Sequence, residues 1–288
     1  MRYILDTLAD SLLDSGSEAM SDITADSTAT TKLSTDSTVD STINSTTTID
    51  PLTEKTNENP LKSVPKSTRK SMSKPLAGLR ILDVGSGGGL LSESLARLGA
   101  DVTGVDASLA NVKVATQHAN LDDRVKGKVK YICARVEDLA SASGKSNQEV
   151  KYDVITALEI LEHLPPPAIP LFLSSLHSLL TPTGTLILST MNKTPLSYLL
   201  TITLAEHLLA LVPKGTHDWN KYIPPPVLHS HLQAADFVVR DTQGIAFDPL
   251  NAEWILLPKS KSGMWDLACN YFCVARIDHS NENNKTHR

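Results

Sequence analysis

Asp83, Gly85, Gly87, Gly89 and Asp106 are the residues whose types and spacing point most directly to chemistry. They lie in Arg80-Ile-Leu-Asp-Val-Gly-Ser-Gly-Gly-Gly-Leu90 and in Val102-Thr-Gly-Val-Asp106. Glycines in that run let the backbone turn tightly and approach a ligand where a Cβ would collide. An acid at the end of the next strand, about twenty residues on, is placed to hydrogen-bond a ribose. The dinucleotide pattern G-x-G-x-x-G calls for a third glycine where Leu90 stands. Asp83, two residues before the first glycine, would repel a pyrophosphate but attract the ammonium of an amino acid. S-adenosylmethionine (SAM) carries ribose, adenine and a methionine tail without phosphate, so the pattern favours SAM over a nicotinamide dinucleotide. Glycine alone would argue only a tight turn; the two flanking acids make the difference.

A second constellation follows in Leu158-Glu-Ile-Leu-Glu-His-Leu164. Glu159, Glu162 and His163 stand at i, i+3 and i+4, so a helical turn would put them on one face. Two carboxylates and an imidazole beside a cofactor crevice suit Mg²⁺, which takes one or two carboxylates and fills its other positions with water and substrate oxygens. A solvated turn with His163 packed locally is the plainer alternative. His163 is read either as a third ligand or as a general base.

These residues need a scaffold. Arg80–Val84 reads as a buried strand and Leu90–Leu98 as a helix, ended by Gly99. Helix and strand then alternate: Leu109–Asn120, Lys128–Cys133, Tyr152–Leu158, Ile169–Leu180, a turn at Thr181–Gly184, Thr185–Thr190, Val227–Ala235, Phe237–Asp241 and Asn270–Ile277. Such alternation predicts an α/β fold, a mainly parallel sheet with helices on both faces. Ligands in these sheets sit at the carboxyl ends of the strands, beside the switch in strand order. Asp83, Asp106, Glu137 or Asp138, and Leu158–Glu159 all fall at such ends.

Hydrophobic content of 41% over 288 residues supports a core, but it is unevenly spread. Residues 15–74 are rich in Ser, Thr, Asp and Lys and predict a disordered insertion, because they bury too little apolar surface to offset ordering entropy. The expected organisation is a helical fragment at 1–14, that insertion, a catalytic domain at 75–280 and a disordered tail at 281–288. A net charge of −5 leaves no electrostatic footprint for nucleic acid. Cys133, Cys269 and Cys273 lack metal spacing and read as reduced core thiols. No secretory or Arg-rich transit pattern is visible at the start.

Taken together, Asp83-Val-Gly-Ser-Gly-Gly-Gly-Leu-Leu-Ser-Glu, Gly104-Val-Asp-Ala-Ser108, Glu159-Ile-Leu-Glu-His163, Ser189-Thr-Met-Asn-Lys-Thr194 and Val212-Pro-Lys-Gly-Thr-His-Asp-Trp219 resemble the ubiquinone-biosynthesis O-methyltransferase family. The resemblance runs from about Leu79 to Arg276. It implies a Rossmann-like class I methyltransferase with a mostly parallel seven-stranded sheet. It implies methyl transfer from SAM to catechol-type hydroxyls of polyprenylated rings. The SAM contacts it implies are Gly85, Asp106 and Leu158, and the Mg²⁺ ligands are Glu159, Glu162 and His163. It also implies a peripheral place on the matrix face of the mitochondrial inner membrane, within a multi-enzyme ubiquinone-biosynthesis complex. The apolar run 196–212 is too short and too polar at Glu206 and His207 to span a bilayer. It reads either as a buried helix or as a surface that docks on the membrane and admits a lipid-tailed substrate. His217, Asp218 and Trp219 are read as covering the substrate pocket or as a local helix cap.

Two departures from the family pattern stand out. Ser86 occupies a position where the family usually has Cys, a small-for-small change expected to be harmless. The family's Trp-rich N-terminal region and its Arg before the Tyr-Ile matching Tyr3-Ile4 have no counterpart here, since Arg2 adjoins Tyr3. The expected consequence is a SAM carboxylate without its usual partner. A non-catalytic scaffold subunit is therefore the second reading, and a nicotinamide oxidoreductase the third.

Overall fold

A computed structural model describes residues 3–7, 74–144, 150–202, 218–248, 251, 253–259 and 266–279. The insertion expected at 15–74 (all but its last residue), most of the apolar run 196–212, His217 and the tail expected at 281–288 lie outside the described residues.

The strands β1 (Arg80–Val84), β2 (Asp101–Asp106), β3 (Val129–Cys133), β4 (Tyr152–Leu158) and β5 (Leu180–Met191) run parallel. β6 (Phe237–Asp248), β7 (Glu253–Leu256) and β8 (Asn270–Ile277) complete an eight-stranded sheet of order β3-β2-β1-β4-β5-β8-β6-β7. β8 lies antiparallel between β5 and β6, and β7 pairs antiparallel with β6 at the edge. The α/β architecture expected of a class I methyltransferase is present, with β7 added at the edge of the sheet. Strand order reverses between β1 and β4, so their carboxyl ends border the crevice where such sheets bind ligands.

Side chains alternate between the two faces of a strand, and here both faces are buried. Ile81, Val154 and Ile187 belong to one apolar cluster, while their neighbours Leu82, Ile155, Leu186 and Leu188 belong to the other. Helices α1 (Leu90–Arg97) and α2 (Leu109–Asn120) cover the first cluster through Leu95, Ala96 and Ala119. Helices α3 (Val136–Ser143), α4 (Ile169–Leu179) and α5 (Pro225–Ala234) cover the second through Val136, Phe172, Leu173, Leu176, Leu228 and Leu232. Residue alternation without polar gaps is what a sheet buried on both faces requires.

Several details differ from the sequence reading. α3 was not foreseen, because Val136-Glu-Asp-Leu-Ala-Ser-Ala-Ser143 buries only Val136 and so shows little apolar period. The turn at Thr181–Gly184 is a bulge inside β5: Tyr152 pairs with Leu180 and Val154 already with Thr185. Cys133 is exposed, so only Cys273 is a fully buried thiol. Its strand β3 is the sheet's edge, where alternate positions face water.

The segment 3–7 is helical, as its sequence suggests, and it is anchored. Ile4 is 1% exposed within the cluster of α1 and α2. The Tyr3 ring stacks on Phe272 of β8 at 4.9 Å, and its hydroxyl donates to Asp241 Oδ2 at 3.0 Å. Ile4→Ala should therefore destabilise the protein by about 2–5 kcal/mol, the usual cost of emptying a buried Ile site. Urea denaturation of the two proteins checks this; an unchanged midpoint would mean the segment contributes nothing to the core.

Candidate active site

Gly85, Gly87 and Gly89 adopt φ of +70°, +53° and +86°, the left-handed region that favours glycine. Gly85 N donates to Val105 O at 2.8 Å and Ser86 N to the same oxygen at 3.1 Å, which ties the loop to the end of β2. A Cβ on Gly85 would come within 2.0 Å of Ile160 Cδ1, and one on Gly89 within 2.2 Å of the Tyr131 hydroxyl. A Cβ on Gly87 or Gly88 would meet no protein atom within 4 Å, so these two line an open cradle. Ser86 Oγ is buried in this loop with no hydrogen-bond partner. A buried unpaired hydroxyl costs about 1–3 kcal/mol, so a Cys-like weak donor suits the free protein better there.

Asp106 ends β2 and faces the loop. Its Oδ2 accepts from Gly87 N at 2.9 Å, and its Oδ1 accepts from Ser108 N at 2.8 Å and Asn111 Nδ2 at 3.2 Å. Asp83 is buried near the end of β1, between Gly104 of β2 and Thr156 of β4. Its carboxylate accepts from Ser92 Oγ at 2.6 Å and Thr156 Oγ1 at 2.9 Å. Burial pushes the Asp83 carboxyl up to about 6, with the two hydroxyls opposing the shift and Asp106 adding to it. It is thus an acid kept from water with only neutral donors around it.

The acid turn sits beside this loop. Leu158 ends β4, half-buried, opposite Ser189 of β5. Glu159 follows with φ +54°, an uncommon conformation for a residue with a side chain. Its amide donates to Ser189 O at 3.0 Å, and its Oε1 accepts from Ser189 Oγ at 2.6 Å. Oε2 accepts from Asn270 Nδ2 at 3.3 Å. Glu162 is buried in the short 3₁₀ turn Leu161–His163, and its Oε2 accepts from Thr190 Oγ1 at 2.8 Å. Burial first, and then the charge of Glu162, push the Glu159 carboxyl up to about 7. Burial likewise pushes Glu162 up. Among the described residues no ion pair reaches either acid. Nearby Cys269 is pushed up to about 11 by burial and by Glu159, so it stays a neutral thiol.

Of the three side chains expected on one helical face, two come together. Glu159 lies before the turn in a left-handed conformation, and the helix is a 3₁₀ turn, so the i, i+3, i+4 argument does not apply. His163 is exposed, and its amide donates to Ile160 O at 3.0 Å. Among the described residues no three His, Cys, Asp or Glu side chains form a metal-holding group. What remains among the described residues is a pair of neighbouring carboxylates, Glu162 buried and Glu159 half-buried, with neutral donors and no cation, a donor set that a hard divalent ion completed by water fits. Asp218 is a local cap, accepting from Asn220 N at 3.0 Å. Trp219 Nε1 donates to Thr194 O at 3.0 Å, and Lys193 Nζ lies 4.8 Å from the Trp219 ring centre. Ser92, Thr156, Ser189, Thr190 and Asn270 were not identified from sequence as site residues. Of these, Ser92 and Ser189-Thr190 stood within quoted motifs.

A glycine cradle between two acids, at the switch point of this sheet, defines a SAM-dependent methyltransferase of class I, and residues 52–242 match the family model of a methyltransferase domain. The mitochondrial ubiquinone biosynthesis O-methyltransferase of Schizosaccharomyces pombe is 44% identical over 200 residues, 69% of this chain and 69% of that protein. Its counterpart named in Azorhizobium caulinodans is 41% identical over 203 residues, 70% of this chain and 73% of that protein. The mitochondrial protein of Arabidopsis thaliana is 42% identical over 186 residues, and the chain spans only 55% of its length. A solved structure described for the conversion of a disulfide bond into a thioacetal group during echinomycin biosynthesis shares the fold, with a TM-score of 0.50, 17% identity and coverage of 73% of this chain and 81% of that one. The chain belongs to the ubiquinone biosynthesis O-methyltransferase family.

Gly87→Ala tests the cradle directly. The left-handed conformation costs a side chain roughly 1–2 kcal/mol, and no neighbour clashes in the free protein. SAM affinity by calorimetry should fall further, by at least about tenfold, the equivalent of ~1.4 kcal/mol. Equal affinity would show that this loop does not approach the donor.

Proposed function

We propose that this protein transfers the methyl group of SAM to a catechol-type hydroxyl of a polyprenylated ring in ubiquinone biosynthesis, with Mg²⁺ held by Glu159 and Glu162. The observation that carries the reading is the conjunction, at the β1–β4 switch point, of the acid-flanked glycine cradle with a largely buried carboxylate pair that no ion pair reaches among the described residues. Gly85, Gly87 and Leu158 border the donor. Asp106 offers a carboxylate to the ribose, and Asp83 offers a negative charge to the methionine ammonium. When bound, Mg²⁺ supplies charge that lowers the pKa of the ring hydroxyl and orients its oxygen. The oxygen then attacks the methyl carbon in line with the carbon–sulfur bond, forming the oxygen–carbon bond as the electron pair of the carbon–sulfur bond goes to sulfur and S-adenosylhomocysteine leaves. The fold's contribution beyond charge is proximity, because β1 and β4 are paired neighbours.

His163 is exposed, a position that supports a proton acceptor handing the phenol proton to water rather than a third ligand. Tritium transfer from labelled SAM to a catechol, with and without EDTA, tests the whole reading. The expected outcome is turnover that EDTA abolishes. His163→Ala should lower kcat by about 10²-fold or more while Mg²⁺ affinity holds. Donor binding without transfer would leave a scaffold role instead.

Relatives labelled mitochondrial support a mitochondrial place; a position on the inner membrane's matrix face, within the pathway's multi-enzyme complex, is part of the same proposal. The start of the apolar run supports membrane docking by its inverted polarity. Leu196, Tyr198, Leu199 and Leu200 are exposed, whereas Ser197 and Thr201 are buried. Thr201 Oγ1 bonds Ser197 O at 2.7 Å and the Tyr222 hydroxyl at 2.9 Å. Apolar groups outward and hydroxyls inward suit contact with lipid. Among the described residues no helix is long and apolar enough to cross a membrane.

The raised carboxyls set a pH dependence. Glu159 moves from 4.5 to about 7 through burial and its neighbour's charge. Its protonated form is thus favoured by folding: the stabilisation is complete below 4.5 and is lost as pH rises through about 7. The melting temperature of metal-free protein should therefore fall from about pH 5 to about pH 8. Millimolar Mg²⁺ should raise it most at the alkaline end, where Glu159 is ionised. Scanning calorimetry over that range checks both; a flat Mg²⁺ effect would remove the pair as its site.

A further inference from the structure

The segment Ser189–Thr194 has no assigned role in the reaction, yet it bonds both acids of the site. Ser189 and Thr190 lie near the end of β5 and are fully buried, at 3% and 0% exposure. The Ser189 hydroxyl donates to Glu159 Oε1 at 2.6 Å, and the Thr190 hydroxyl donates to Glu162 Oε2 at 2.8 Å. Asn270, paired with Met191 across β8, adds its amide to the other oxygen of Glu159. Asn192 N donates to Cys269 O at 2.6 Å, and its side-chain amide donates to Leu267 O at 2.6 Å, which fixes the approach to β8. Thr194 donates to Ala268 O and caps the turn Pro195–Ser197.

We propose that Ser189, Thr190 and Asn270 are positioning residues for the cation site: one hydroxyl for each carboxylate, and one amide for the oxygen of Glu159 that the hydroxyl leaves over. This rests on the Mg²⁺ reading above. The physical case is orientation. A carboxylate on a rotatable stem must be held at one angle to receive a cation at low entropic cost, and hydrogen-bonded outer partners perform that task at metal sites. The donors are neutral, so they turn the acids without neutralising them, and the charge stays available to the ion. A lysine or arginine in their place would hold the same angle and cancel the charge. Backbone geometry supports the same division of labour, because Ser189 O accepts the amide of Glu159 and thereby holds that residue in its left-handed conformation.

The test uses the full chain and reads Mg²⁺ affinity by calorimetry, Mn²⁺ binding by electron paramagnetic resonance, and SAM affinity as a separate measure of the folded donor site. The unsubstituted protein should bind both ions. Thr190→Val keeps the shape and removes the hydroxyl, and Ser189→Ala removes the other. Each should weaken ion binding by about 10- to 100-fold and leave SAM affinity intact. Thr190→Ser, which keeps the hydroxyl, should restore binding; equal weakening by Thr190→Ser would overturn the proposal by showing that shape alone matters. If Thr190→Val does not fold, Asn270→Ala gives the same reading through the third donor. Unchanged ion affinity in Ser189→Ala and Thr190→Val overturns the positioning role and leaves the Mg²⁺ site standing. No ion binding by the unsubstituted protein overturns both.

Discussion

Two carboxylates held side by side out of water repel each other, and a fold keeps them there only if something else holds the chain. In this protein the something is β5. Glu159 is fixed by its amide on Ser189 O and by the Ser189 hydroxyl, and Glu162 by the Thr190 hydroxyl. The parallel pairing of β4 with β5 delivers those partners, since Leu158 is in register with Ser189. The unfavourable proximity of the acids is thus maintained by strand register and neutral hydrogen bonds, with the cost expressed as carboxyls that hold their protons to higher pH.

The donor crevice follows a milder version of the same logic. Asp83 is buried among hydroxyls, and burial raises its pKa, with no ion pair reaching it among the described residues. Asp106 instead serves the backbone, binding the amides of Gly87 and Ser108. One acid therefore holds unspent negative potential near the crevice while the other fastens the loop to β2. Helix α1 is fastened in turn by Glu93, which binds Arg97 at 2.8 Å and His118 of α2 at 2.6 Å.

Much of this was legible in the sequence because the determinants are local. Left-handed glycines, an apolar strand before them and an acid after the next strand are short-range features with a physical requirement behind each. The acid turn was legible only in part. A helical period was assumed for Glu159–His163, and the chain instead enters a 3₁₀ turn from a left-handed residue, which buries Glu162 and turns His163 outward. No propensity announces a Glu at positive φ; it is imposed by the β5 contacts, which are tertiary. Ser189, Thr190 and Asn270 were missed for the same reason, as hydroxyl and amide residues at strand ends look like ordinary edge polarity until the neighbouring strand is placed. α3 escaped because a helix with one buried residue has no period to read.

Ile160 connects the two halves of the site. It lies between Glu159 and Leu161 in the acid turn, and its side chain fills the space that a Cβ on Gly85 would take, with Cδ1 and Cγ1 at 2.0 Å and 2.7 Å from that position. Gly85 is therefore constrained twice, by its φ of +70° and by the side chain packed against it. The donor loop and the acid turn bear on each other at this contact. A movement of the glycine loop on binding SAM must displace Ile160 or be resisted by it. Ile160 in turn is joined by its backbone to Glu159, whose conformation β5 holds. The consequence is mechanical: the glycine loop and the acid turn form one packed unit, so the separation between them is set by the fold. A reaction that needs an oxygen in line with a carbon–sulfur bond depends on that separation staying fixed.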